Sequence, residues 1–402
     1  MDGEFRAIRD EERAECLRLW ETVFESEDSA YFRRYFYGDV EVLPYYTQIA
    51  KVDGKIMSAA HIVKRTVACG EMRLTMGGLA NVATLPEYRG RGYNRECVLR
   101  AIAVMEADAM DFSMLFTGVN DYYAKMGYAN LPRPDDTFII KPDFERQAAL
   151  FAVRNANAAD LPAIFACYDA YNATRPIAVQ RNEAYWRDWI GIAADKVPDT
   201  LLAATDAENR LVGYINVEDW PENSATAIEE FAVQADLPET AQQNIAFALF
   251  QEVASRFHAG GDRELSARIA LDAVVQAAAG RVFAERLDGV EGDSMARLLH
   301  RENLFRGLSM IWNERWNAAG CPKGVLAFET PYGLTGLDAN GPILKIGPTN
   351  ETAENSVSQS DFFRLLFGFG RLEVLSHSGD SAELLAALFP PQSPIYWSAD
   401  GF

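Results

Sequence analysis

Two short segments carry the residue types that could do chemistry. The first is Arg89-Gly90-Arg91-Gly92-Tyr93-Asn94. Arg89, Arg91 and Arg95 cluster there in a chain whose net charge is −20. Glycines let a backbone approach a ligand closely. A helix that begins at such a loop aims N–H groups and its positive dipole end at the same point. An apolar run, Leu79 to Leu85, precedes the loop, and Val98, Ile102, Met105 and Ala109 follow it at helical spacing. Strand, Gly/Arg loop and helix start together suit a pyrophosphate. Alone, the loop reads equally as a solvated basic turn, and it is neither the P-loop nor the dinucleotide fingerprint. The second segment is Asp121-Tyr122-Tyr123-Ala124-Lys125-Met126-Gly127-Tyr128. It places phenols at the start of a short helix that ends on a glycine and an aromatic residue.

The elements around these segments predict a mixed α/β (α+β) fold. The first block opens with a strand at Phe5–Arg9 and a helical pattern through Ala14, Leu17, Trp20, Val23 and Phe24. Strands are expected at 47–52 and 55–67, joined by the hairpin turn Asp53-Gly54. Two further strands are expected at 71–76 and 79–84. A helix over 94–109 and a strand at 113–117 follow, and 137–141 closes the block.

A second block echoes the first. Phe151-Ala152-Val153-Arg154 repeats the opening strand, and Glu230 to Glu239 repeats Leu79 to Glu87. A helix over 241–257 comes next. Gln242, Gln243 and Asn244 stand where the first copy has its Gly/Arg loop, so the second copy lacks a pyrophosphate cradle. The third block starts near Ser294. It has a strand at 323–330, a turn at Asp338-Ala339-Asn340-Gly341, a strand at 342–346, a polar loop at 349–358, and helices at 360–367 and 382–388. Phe362, Phe363, Leu365, Leu366 and Phe367 fit core packing better than a lipid groove.

Composition narrows the function classes. At 402 residues, 49% of them hydrophobic, the chain is long enough for two to three packed domains. Its acidic balance disfavours nucleic acid as a partner and suits cationic small molecules or simple solubility. Five cysteines without a CxxC pair and four isolated histidines point to a reducing cytoplasm, without metal or disulfide frame. The N-terminus has no apolar signal core, and no apolar stretch is long enough to span a membrane.

The two segments together resemble the acetyl-CoA site of the GNAT acetyltransferase superfamily. Arg89 and Gly92 fit its Arg/Gln-x-x-Gly-x-Gly/Ala loop, with Asn94 departing from the small final residue. Tyr123, Gly127 and Tyr128 fit its tyrosine followed by Gly-Phe/Tyr. The whole-chain layout and the ending Asp400-Gly401-Phe402 resemble the enhanced-intracellular-survival (Eis) family of N-acetyltransferases. That resemblance implies a catalytic GNAT domain over 1–148, a degenerate GNAT-like domain over 149–292 and a sterol-carrier-like α/β domain over 293–402. It implies acetyl-CoA as cosubstrate and a hexameric assembly. It implies a terminal carboxylate, here that of Phe402, reaching the first domain's active site.

Each role also has a physical rationale. An amine must lose its proton before it attacks, and a lysine-type amine has a pKa of about 10.4. The Phe402 carboxylate is the candidate base, although its ordinary pKa of about 3.3–3.7 calls for a water relay or a shift. Tyr123 is the candidate acid for the departing thiolate. Backbone N–H groups at Asn81 and Val82 are expected to face the thioester carbonyl, and the strand through Thr84 to pair with the pantetheine amides. Arg89, Gly90, Arg91, Gly92, Tyr93 and Asn94 form the expected pyrophosphate cradle, with Thr117 and Tyr122 as further contacts. Glu25, Glu27, Asp28, Tyr31, Phe32 and Tyr35 either line a cation pocket or form a solvated helix end. The leading reading is acetyl transfer to a small polycationic amine of aminoglycoside, polyamine or lysine type. Peptide N-terminal or lysine acetylation and a noncatalytic acyl-CoA or lipid sensor are the alternatives.

Overall fold

The computed structural model describes residues 3–402 apart from 27–28, 132, 135, 221–224, 261–263, 268, 270–271, 288–289, 293 and 349–355. From the N-terminus, β1 (Glu4–Ala7) leads to α1 (Arg13–Val23) and α2 (Ser29–Tyr37). Then come β2 (Thr47–Val52), β3 (Lys55–Cys69), β4 (Met72–Thr84), α3 (Tyr93–Ala107), β5 (Phe112–Phe116), α4 (Asn120–Ala124) and β6 (Ala129–Asn130). The middle of the chain forms β7 (Arg133–Pro134), β8 (Asp136–Ile140), β9 (Ala152–Asn155), α5 (Leu161–Asn172), α6 (Glu183–Tyr185), β10 (Leu201–Thr205), β11 (Leu211–Trp220) and β12 (Ala225–Val233). It continues through α7 (Glu239–Gly260), β13 (Glu264–Ala267), α8 (Ala273–Val282), β14 (Phe283–Leu287), β15 (Val290–Glu291) and β16 (Ser294–Leu298). The last part is α9 (Arg301–Ala318), β17 (Val325–Thr330), β18 (Gly333–Asp338), β19 (Lys345–Pro348), β20 (Ser356–Val357), α10 (Gln359–Phe367), α11 (Arg371–His377) and α12 (Ala382–Leu388).

Two seven-stranded sheets repeat one topology. The first runs β1-β2-β3-β4-β5-β16-β6, and the second, read from its own start, runs β9-β10-β11-β12-β13-β8-β14. In each, the fourth and fifth strands are parallel and their neighbours antiparallel. The sixth place is filled reciprocally. β8 follows the first fold in sequence but pairs with β13 and β14. β16 follows the second fold but pairs with β5 and β6. Two expectations are corrected here: residues 137–141 do not close the first block, and Ser294 does not open the third. Sequence pattern identifies a strand but not which sheet it joins.

Local chemistry explains most boundaries. Asp53 and Gly54 both take positive φ, 50° and 77°, as a tight hairpin of this twist requires. The expected strands at 71–76 and 79–84 are instead the single strand β4. Gly77 and Gly78 do not break it, because they pair with Lys64 and Val63 on one side and Ser113 and Met114 on the other. A Cβ at Gly77 would lie 2.2 Å from Met105 Sδ, so that glycine serves the close approach of α3. The structure adds elements not expected from sequence pattern, among them α2, α9, β10, β11, β13 and β18, and the strand expected at 342–346 runs from 345 to 348. Most of the polar loop expected at 349–358 lies outside the described residues.

One core joins the first fold to the C-terminal layer. Phe112 of β5 packs on Phe367, and Phe363 stacks on Phe367 at 5.6 Å. Phe305, Trp312, Phe328 and Phe362 continue it. The phenylalanine run of α10 is therefore core, as its spacing predicts, and it braces β5 from behind.

Candidate active site

The site is built where β4 and β5 part. Their parallel pairing covers Met76–Gly78 with Phe112–Met114 and ends there. Directly after it β4 bulges against β3, because Ala80 pairs with His61 but Ala83 pairs with Ala59. Asn81 and Val82 fall in the bulge, and Asn81 takes a φ of 48°. Its Nδ2 is buried with no hydrogen-bond partner among the described residues. A bulge re-aims backbone groups out of the ladder, so the expected N–H donors stand at the point of divergence. Thr84 closes the strand, with its hydroxyl 2.7 Å from Ser58 Oγ.

The Gly/Arg loop follows at once. Gly90 and Gly92 take φ of 74° and 85°, the left-handed region that favours glycine. α3 starts on Gly92 without a capping side chain, and its first backbone bond runs from Glu96 N–H to the Gly92 carbonyl. Arg89 and Arg91 are exposed and are steadied by carbonyls: Arg89 Nε donates to Thr84 at 3.3 Å and Arg91 Nη2 to Glu87 at 3.0 Å. Neither has a carboxylate partner among the described residues, so both charges face outward beside an open helix start. Tyr93 turns its ring inward against Phe5. The departure at Asn94 has a structural reason, since its Oδ1 accepts the Tyr122 hydroxyl at 2.7 Å and so ties the loop to the second segment.

Tyr123 sits on α4, just beyond the end of β5. Its ring is buried edge-on to Tyr122 and Tyr128, at 5.0 and 6.0 Å. Its hydroxyl makes no hydrogen bond among the described residues. Burial, with the neighbouring phenols, pushes its pKa well above the ordinary tyrosine value, so it keeps its proton. Tyr128 is fixed through Ser113 Oγ, 2.8 Å away, which itself donates to the Gly77 carbonyl. Thr117 stands beyond β5 and accepts the Val119 N–H.

Phe402 reaches the same divergence. The Phe402 ring lies against Gly78, 5.3 Å from Phe116 and edge-on to Tyr396. Its approach is held on one side by Arg34 of α2, whose Nη2 donates to the Gly401 carbonyl at 3.1 Å. The Arg34 guanidinium lies over Tyr31 and Trp189, at 4.4 and 4.3 Å. Asp400 is fully buried and bound twice by Arg181. Gly78, Arg34, Arg181 and Asp400 escaped the sequence reading as site residues, because each acts through contacts distant in sequence. Of the candidate cation pocket, Phe32 and Tyr35 are core residues packed tilted and edge-on against Trp20, Glu25 is exposed, and Glu27 and Asp28 lie outside the described residues. No group of metal-ligating side chains occurs among the described residues.

The repeated fold offers no second cradle. Gln242 donates its amide to the Ala235 and Leu237 carbonyls, filling the turn before α7 with its own side chain.

Residues 4–131 match the sequence profile of the acetyltransferase (GNAT) domain. No curated protein sequence matches the chain. Among solved structures, it is similar over the full length of both chains to a probable N-acyltransferase from Enterococcus faecalis, at 18% identity and a TM-score of 0.70. A GCN5-related N-acetyltransferase from Anabaena variabilis matches at 16% identity and 0.68, again with both chains covered entirely. Eis1 from Mycobacterium abscessus matches at 13% identity and 0.63, with the same full coverage. At these identities the likeness establishes the shared fold.

Proposed function

We propose, from the premise that residues 4–131 form a GNAT domain of an acyl-CoA-dependent acetyltransferase, that the chain acetylates a primary amine on a small polycationic molecule. The observation that carries this reading is the meeting of β4, β5 and Phe402 at Gly78. The residues present fit acetyl-CoA: two outward arginines, an uncapped helix start, and a β4 edge released from β5. When bound, acetyl-CoA supplies an activated thioester.

The chain's residues do the rest. Arg89 and Arg91 oppose the pyrophosphate charge, and the start of α3 adds its dipole. The bulge at Asn81 and Val82 turns backbone donors toward a developing oxyanion. Tyr123, protonated because it is buried, holds a proton at Oη for the departing sulfur. The Phe402 carboxylate takes the amine proton directly or through a water. Tyr122 and Asn94 keep loop and acid in register.

The finer assignments belong to the same proposal: a cytoplasmic protein, a homohexamer, and a sterol-carrier-like C-terminal layer behind β5. No described helix is long and apolar enough to cross a membrane. Arg34 favours a second reading of the acceptor. It has no carboxylate partner among the described residues and stands beside Gly401. An amine that also carries an anionic group would complement it.

Free thiol release tests both readings. The protein is incubated with acetyl-CoA and either aminoglycosides and polyamines or amino acids and peptides. Release with the first set alone supports the polycation. Release with the second set alone supports the Arg34 reading, and no release despite acetyl-CoA binding removes the catalytic proposal.

A further inference from the structure

The second fold keeps the strand geometry of the first at the place where chemistry is expected. Parallel pairing of β12 with β13 ends at Ile228 and Ala267, as that of β4 with β5 ends at Gly78 and Met114. β12 then bulges against β11: Val217 pairs with Ile228 and Asn216 with Glu230, leaving Glu229 over. The side chains at this second divergence are tied to the chain's own end. Arg181 places Nη2 2.6 Å from Glu230 Oε2, while Nε and Nη2 each lie 2.9 Å from the Asp400 carboxylate. Tyr185 donates to Asp400 Oδ1 at 3.0 Å, and Tyr214 donates to Glu230 Oε1 at 2.5 Å. The Arg181 guanidinium lies 4.0 Å over Tyr168 and 4.3 Å over Trp186.

Other holds come from the same fold. Ile395 N–H donates to the Pro176 carbonyl, and Trp397 Nε1 donates to Asn172 Oδ1. The side chains of Arg181 and Asp400 are completely removed from solvent. Burying such ions costs about as much as their attraction returns, and apolar replacements often serve stability equally well. The cluster therefore calls for another explanation than stability. What it supplies is one register for the tail, two residues before the terminal carboxylate.

We propose that the strand divergence of the second fold is a socket for the chain's own terminus, and that Arg181, through Asp400, is the positioning residue that sets the Phe402 carboxylate in the first fold's site. This inference rests on the reading of Phe402 as the base. The second copy keeps its cleft because the cleft holds the base that the first copy uses.

The test uses the full chain with Asp400→Asn and Arg181→Lys. Release of Phe402 by a carboxypeptidase is followed by mass spectrometry, beside steady-state kinetics. We expect both variants to lose Phe402 at least tenfold faster than the wild type. Their kcat should fall at least tenfold while the acetyl-CoA KM stays within twofold. Wild-type trimming and kcat in both variants would overturn the proposal. Should either fail to fold, the uncharged set Glu230→Gln, Arg181→Met, Asp400→Leu fills the same space without the ionic grip. Rapid trimming of that variant supports the socket, and retained Phe402 overturns it. A chain ending at residue 401 judges the base separately. If its kcat equals the wild type, the base reading falls, and trimming alone then decides whether Arg181 and Asp400 hold the tail.

Discussion

Gly78 and Phe402 touch so closely that a Cβ on the glycine would stand 2.5 Å from the phenylalanine Cζ. A mid-strand residue thereby sets the position of Phe402, 324 residues further along the sequence. Gly78 has ordinary strand pairing on both sides, so its lack of a side chain serves the ring and not the backbone. Gly78→Ala is expected to displace the Phe402 ring and lower kcat by about tenfold to a hundredfold, since misplacing a reacting group by about 1 Å costs up to about 10²-fold. Acetyl-CoA affinity, measured by calorimetry, should stay near the wild-type value.

Tyr123→Phe removes the proton proposed for the sulfur and nothing else from the buried ring cluster. Turnover should fall by about 10²-fold or more, with acetyl-CoA KM little changed. Because burial raises the Tyr123 pKa, its phenol stays neutral through the ordinary tyrosine range. The wild-type pH–rate profile should therefore show no alkaline loss assignable to this group up to about pH 10. A loss near pH 9 that vanishes in Tyr123→Phe would contradict the role.

Arg89→Ala and Arg91→Ala each leave a backbone cradle but remove an outward charge. The acetyl-CoA KM should rise roughly tenfold in each, equivalent to about 1.4 kcal/mol, while kcat changes little. Added salt should narrow the gap to the wild type. Titration calorimetry should find one acetyl-CoA per chain, because Gln242 fills the corresponding turn of the second fold.

His61 makes the fold acid-sensitive. It is fully buried among Trp20, Tyr35 and Phe36, with Nδ1 on the Thr47 hydroxyl. Burial, helped by the Arg65 and Arg13 charges, lowers its pKa to about 3. The unfolded chain takes up that proton near pH 6.5, whereas the folded one does not until about pH 3. Stability is therefore complete above pH 6.5 and declines as pH falls toward 3, by up to about 1.4 kcal/mol per unit. Melting temperatures of wild type and His61→Gln between pH 7 and 4.5 check this; the variant should have the flatter curve.

The local elements of the site were legible in the sequence. Glycines at positive φ, a helix start and a strand of apolar residues are written in short windows, and Arg89 to Asn94 and Tyr122-Tyr123 fall where those windows place them. The bulge at Asn81 was not legible, because it is a mismatch between two strands and not a property of one. The apparent break at Gly77-Gly78 misled, because glycine signals a turn as readily as a close approach. Arg181 carries no pattern at all; its meaning comes from Asp400, 219 positions away.

The reciprocal lending of β8 and β16 also dictates when this protein can mature. Phe112–Phe116 must wait for Ser294–Leu298 before its free edge is covered, so an emerging N-terminal portion leaves the ribosome with an open flank. Partial chains cut between the halves should be sticky instead of independently foldable. The two halves are a pair of clasped hands: the second finds β8 already made, while the first stays open until β16 has been translated.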